Sequence, residues 1–147
     1  MLYIDTSSLL KLLWEEPESE WTRERIAVER YVIISSLAEL EADVQLAGAC
    51  LAGKYSRARL NAYRRALMGF PETDPFDRRD LPSQIYQVAL RQQRISGQPH
   101  CGTLNRLHLA AMELLGISRL LTHDAHQAQA AHGLGFEVLM LSGSRHS

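Results

Sequence analysis

Three acids of this chain stand where a parallel sheet would gather them. Asp5 closes the apolar run Leu2-Tyr3-Ile4, Glu39 follows Val32-Ile33-Ile34 and two serines, and Asp124 follows Leu120-Leu121. Each lies between a strand-like run and the start of a helix-like one. In a parallel α/β sheet those positions are the carboxyl ends of strands, where ligands bind. Carboxylates converging there suit a hard divalent cation, Mg²⁺ or Mn²⁺, held through oxygen. The matching chemistry is metal-assisted phosphodiester hydrolysis, in which water attacks phosphorus in line. Each acid also has a plainer reading. Ser36-Leu37-Ala38-Glu39 has the pattern of a capping box, Asp124 with Gln127 that of an N-cap, and Asp5 can accept bonds from the next turn. Three caps need not share one sheet edge, and the alternating order of elements puts these three on one.

The elements that position them follow from hydrophobic period and punctuation. Leu2 to Ile4 reads as an opening strand, and Thr6 starts a helix carrying Leu9, Leu10, Leu12 and Leu13. Pro17 opens a second helix that runs to about residue 29. Residues 31–35 are β-branched and read as a strand. Residues 36–52 read as a helix whose stripe is Leu37, Leu40, Val44, Ala47 and Leu51. Helices are expected over 55–68, 81–94, 103–115 and 124–132, with Gly116 as a stop. Strands are expected over 119–122 and 136–141. Residues 69–80, with two prolines and four acids, read as the most loop-like segment, and 96–102 as a second loop. Strands alternating with helices predict a three-layer α/β/α sandwich with a short parallel sheet. The predominantly helical middle suggests an added helical clip at about 55–95. One domain is expected over 1–141, with a flexible tail at 142–147.

Composition sets the class. With 147 residues, 46% apolar and 22% charged, the chain is long enough for one packed core. A net charge of −1 excludes a general polycation, but the charge is uneven. Residues 1–43 carry ten acids and four bases, whereas 44–71 carry Lys54, Arg57, Arg59, Arg64 and Arg65 and no acid. Interleaved with Tyr55 and Tyr63, these cations suit phosphate contact and stacking on single-stranded RNA; a solvated or dimer-facing surface is the plainer reading. Cys50 and Cys101 are too few for a disulfide framework and read as free thiols. Neither a signal peptide nor a membrane span is apparent, so a cytoplasmic protein is expected. The histidines show no zinc spacing, and His108 reads as a hydrogen-bonded helix residue. Trp14 and Trp21 read as packing. Lys11 and Glu41 read as surface, and Asp43, one turn after Glu39, as a solvated helix face.

Four motifs together carry a resemblance. Tyr3-Ile4-Asp5-Thr6-Ser7, Ser35-Ser36-Leu37-Ala38-Glu39-Leu40, Leu107-His108-Leu109-Ala110-Ala111 and Leu120-Leu121-Thr122-His123-Asp124, in that order, resemble the PIN domain, and most of all its small bacterial VapC-like toxins. The resemblance spans nearly the whole chain. It implies a Mg²⁺- or Mn²⁺-dependent ribonuclease, an RNA substrate, frequent homodimers and an antitoxin partner that occludes the site. Asp5, Glu39 and Asp124 match the family's first, second and fourth acids. The third usually stands three residues before the histidine, and here that position is Asn105. An amide keeps one neutral oxygen and loses a charge. The resemblance therefore implies either a working nuclease with a weakened metal site or an inactive RNA- or partner-binding relative. Thr6 and Ser7 are candidates for orienting water or phosphate at a helix start, and Lys54, Arg57, Arg64 and Arg65 for holding the RNA backbone. A phosphoacceptor domain using Asp5 is the remaining class; it lacks a paired acid and a glycine-rich loop.

Overall fold

The computed structural model describes residues 1–141. Its elements run β1 (Leu2–Ile4), α1 (Thr6–Leu13), α2 (Ser19–Ala27), β2 (Val32–Ser35), α3 (Ser36–Leu51) and α4 (Arg57–Gly69). After one 3-10 turn (Phe70–Glu72) come β3 (Phe76–Arg79), α5 (Ile85–Gln93), α6 (Thr103–Leu115), β4 (Arg119–Leu121), α7 (Ala125–Gly133) and β5 (Glu137–Leu139). The five strands form one parallel sheet in the order β3-β2-β1-β4-β5. Register pairs Tyr3 with Ile33 on one side and with Leu120 on the other.

Helices cover both faces, as the alternation of strands and helices predicts. Side chains alternate across a strand, so Leu2, Ile4, Val32, Ile34 and Leu121 face one core with Leu9, Ala38, Ala42, Leu46, Leu60 and Leu67 of α1, α3 and α4. Tyr3, Ile33 and Leu120 face the other with Ala89, Leu109, Met112 and Ala131 of α5, α6 and α7. The central strands are sealed on both faces, which is why they read as unbroken apolar runs. No helix among the described residues is long and apolar enough to cross a membrane.

Three sequence expectations need correction. Residues 69–80 are not all loop, because Phe76–Arg79 pairs in parallel with Val32–Ser35 as an edge strand. Its sequence, Phe-Asp-Arg-Arg, is half-exposed to exposed, so it lacks the apolar signature of a buried strand. The clip at 55–95 is accordingly two helices separated by this strand. The cap of α3 is Ser35, whose Oγ accepts from Ala38 N at 3.1 Å, and not a box built on Ser36 and Glu39. The core face of α3 is Ala38, Ala42 and Leu46, while Leu40, Val44 and Leu51 are 63%, 60% and 89% exposed. Three small or apolar residues at i, i+4 and i+8 outcompete the bulkier stripe because a helix must lie close to the sheet. The expected flexible tail at 142–147 lies outside the described residues.

Candidate functional site

Where the strand order reverses, β1 and β4 lie side by side and their following chains diverge. That arrangement opens a crevice at the carboxyl ends of the strands. A pocket of about 570 Å³ occupies it, lined by Asp5, Thr6, Ser7, Lys11, Glu41, Gln45, Asn105, His108, His123 and Asp124 among others. Two of the three expected acids meet here. Asp5 caps α1, its Oδ1 accepting from Ser8 N at 3.1 Å and Ser7 Oγ at 2.6 Å, and its Oδ2 from Thr122 Oγ1 at 2.5 Å. Asp124 caps α7, accepting from His126 N and Gln127 N. Both are therefore caps and pocket acids at once.

Glu39 is absent from the lining. It lies on another side of α3, largely covered, where its Oε2 accepts from Arg78 Nε at 3.0 Å. Glu41 supplies the carboxylate from α3 instead, which overturns its reading as a surface residue. Two residues are about 200° of rotation on a helix of 3.6 residues per turn, so Glu39 and Glu41 cannot share a face. The sequence did hold a signal. Glu41 and Gln45 repeat at the same four-residue spacing one position before Ala42 and Leu46, so two polar residues flank the stripe that packs on the sheet.

Glu41 is held by a buried network. Its Oε1 accepts from Thr6 Oγ1 at 2.8 Å and lies 2.6 Å from His108 Nε2. His108 Nδ1 lies 2.6 Å from the Tyr3 hydroxyl, which donates to Ser35 Oγ at 2.9 Å. His108 is thus the hydrogen-bonded helix histidine expected. Burial pushes the Asp5 carboxyl up, opposed by His108 and by bonds from Ser7, Thr122 and Ser8. Burial also pushes Glu41 up, but the His108 and Thr6 bonds outweigh it and leave Glu41 below the usual carboxylate range. Tyr3 is raised well above its ordinary value, chiefly by burial.

The remaining candidates separate cleanly. Asn105 stands beside Asp124, its Nδ2 donating to Oδ2 at 3.3 Å. Ser7 is tied to Asp5 and to His123 N, and Thr6 to Glu41, so both hydroxyls position pocket acids. Lys11 lines the pocket and pairs with Glu16 and Glu18 at 3.1 Å each. Lys54, Arg57, Arg64 and Arg65 lie outside this lining. Arg64 is engaged by Asp43 through two bonds of 2.7 and 3.0 Å, while Lys54, Arg57 and Arg65 are exposed. Tyr55 and Tyr63 pack edge to face, and Tyr55 donates to Leu46 O at 2.7 Å.

The donor set tests the fit of a cation. The pocket offers the carboxylates of Asp5, Glu41 and Asp124 and the amide oxygen of Asn105, all hard oxygen donors. Among the described residues no group of three or more His, Cys, Asp or Glu is arranged to hold a metal ion directly. Mg²⁺ keeps several waters and commonly uses only one or two carboxylates, so a cation here would be held through water as well as through these acids.

A parallel α/β sandwich with acids gathered at the switch point of its sheet is the class that fold and pocket define. The PIN domain family model matches residues 2–133, and the chain belongs to that family. It is 33% identical over 142 residues to ribonuclease VapC46 of Mycobacterium tuberculosis (strain ATCC 25618 / H37Rv), covering 94% of this chain and 95% of that one. Among solved structures it resembles Mycobacterium tuberculosis VapC20, a sarcin-ricin loop cleaving toxin, with a TM-score of 0.70, 14% identity and coverage of 92% and 96%. It also resembles VapBC2 from Rickettsia felis bound to a promoter DNA fragment, with a TM-score of 0.69, 14% identity and coverage of 97% and 100%. At these identities the two structures speak for the fold.

Proposed function

We propose that this chain is a divalent-metal-dependent endoribonuclease and the toxin of a toxin–antitoxin pair. The observation that carries the reading is one pocket at the sheet's switch point holding Asp5, Glu41, Asp124 and Asn105, in a chain 33% identical to a ribonuclease VapC. Asp5, Asp124 and Glu41 would hold Mg²⁺ or Mn²⁺. The bound cation would activate water and offset charge on the phosphoryl oxygens. The chain's own groups do the positioning. Ser7, Ser8 and Thr122 fix both oxygens of Asp5. His108 and Thr6 aim Glu41 into the pocket, and the start of α7 fixes Asp124. Lys11 is the lysine at the wall for a substrate phosphate. RNA is the substrate, a cognate antitoxin the partner that closes the pocket, and a homodimer the working assembly.

The test is cleavage of a mixed RNA pool with Mn²⁺. Asp5→Asn and Glu41→Gln should each lower the rate by about 100-fold or more, the scale for removing a preorganised charge from a reaction site. Glu39→Gln should stay near the native rate. Equal losses at Glu39 and Glu41 would move the site away from the pocket described.

One observation favours a second reading, a PIN-fold protein that binds RNA or a partner without cutting. Asn105 donates into Asp124, so its amide occupies a carboxylate oxygen that an acid at 105 would leave to a cation. No cleavage by the native chain, with cleavage by Asn105→Asp, would establish that reading.

A further inference from the structure

A second pocket, of about 410 Å³, lies on the other side of the start of α6, and Thr103 lines both. Its chemistry is opposite. The first pocket is lined by Asp5, Glu16, Glu41 and Asp124, whereas no acid lines the second. Its floor and walls include Tyr86, Gln93, His100, Cys101 and Arg106. Arg106 is only 3% exposed, and no acid pairs with it among the described residues. Its Nη2 donates to Pro99 O at 3.3 Å and the guanidinium also meets the Cys101 side chain, while Nε and Nη1 have no hydrogen-bond partner. A buried guanidinium with unmatched donors costs stability unless an anion completes it. Of the first turn of α6 ahead of Arg106 only Thr103 borders this pocket, whereas Gly102, Leu104 and Asn105 line the acidic one.

We infer that this second pocket is a phosphate subsite in which Arg106 holds a backbone phosphate of the RNA strand next to the one in the acidic pocket. The naming of RNA rests on the proposed function; the anion preference does not. An acid-lined pocket repels a polyanion until a cation enters, so a neighbouring subsite of opposite sign gives the strand its purchase. Arginine suits the task, because its planar fork matches two phosphate oxygens. Nε and Nη1 are buried in this structure, so binding would turn the fork away from Pro99 toward the incoming oxygens. Tyr86, 70% exposed at the mouth, offers a ring for the adjoining base.

The test is made in EDTA, so that binding is read without cleavage. Inorganic phosphate, against chloride at equal ionic strength, should raise the melting temperature of the native chain and not that of Arg106→Gln. A labelled 2′-O-methyl single strand should bind Arg106→Gln about tenfold more weakly, the weight of one charge-assisted contact. If Arg106→Gln fails to fold, Tyr86→Glu puts a carboxylate at the mouth on an exposed residue and should lose both effects. Unchanged phosphate and strand binding in the folded variant would overturn the subsite. A lost phosphate effect with unchanged strand binding would overturn the RNA assignment. Unchanged phosphate binding with dissociation of a dimer, read by sedimentation, would overturn it in favour of a carboxylate from a second copy. Failure of native cleavage with Mn²⁺ would count against the nuclease and leave these readings standing.

Discussion

At the scale of single residues the pocket is a compromise between capping and chemistry. Asp5 and Asp124 each stabilise the start of a helix with one oxygen, while the other accepts from Thr122 in Asp5 and from Asn105 in Asp124. Asp5 carries a cost in doing so. Its folded-state pKa is raised by burial, so ionisation subtracts stability. That subtraction is absent below the unfolded value and complete once pH passes the folded one. Asp5→Asn should therefore melt higher than the native chain at neutral pH in EDTA while losing cleavage. The gain should shrink as pH falls through the folded value, read as melting temperature against pH. Asn105 makes the converse case. Replacing it by Asp turns a donor toward Asp124 into a second negative charge. Calorimetry should show Mn²⁺ binding to Asn105→Asp strengthened about tenfold or more, since ligand charge count sets affinity at oxygen sites. In EDTA the same variant should melt lower than the native chain through repulsion between the two acids.

At the scale of elements, what was legible follows burial. β1, β2 and β4 are apolar because both faces are covered, so their runs and the acids after them could be read directly. The edge strand β3 could not, because its polar side chains carry no such pattern and only pairing with β2 makes it a strand. The second acid is a different case. Two acids two residues apart follow β2, and the strand-end position and the motif point to the first, whereas the packing of Ala38, Ala42 and Leu46 brings the second, Glu41, to the pocket. The sheet is joined at its base by an ion pair that no motif announced. Arg119, opening β4, donates to both oxygens of Glu29 at 2.9 Å, and its Nε also lies 3.3 Å from Glu137 of β5. The Arg119 bonds hold Glu29 below the usual carboxylate range. A depressed folded value contributes stability that is present above the unfolded value and lost as pH falls through the folded one. Glu29→Gln should cost about 1–2 kcal/mol at neutral pH, the range for a partly buried charged pair. Its deficit in denaturant midpoint should close as pH falls through the folded value, where the native glutamate is protonated as well.

At the scale of the whole molecule, α3 works on two sides. One side delivers Glu41 and Gln45 to the acidic pocket, and the adjoining side leaves Leu40 and Val44 in water, with Met68 of α4 exposed as well. Leu40 and Met68 line a separate small pocket on that side, and exposed apolar surface of this kind marks places that another protein covers. Under the proposed function, an antitoxin segment lying along α3 would cover this apolar side while reaching toward the acids. Leu40→Lys with Val44→Lys should therefore weaken antitoxin binding by about 100-fold, the loss of two apolar anchors at roughly 1.5 kcal/mol each. Neither side chain lines the acidic pocket, so Mn²⁺-dependent cleavage by the isolated chain should be unchanged. The measurement is a titration of cleavage with the antitoxin. A right-shifted inhibition curve at an unaltered starting rate is expected. An unshifted curve would move the partner to another face, and a fallen starting rate would mean that the apolar side supports the site itself.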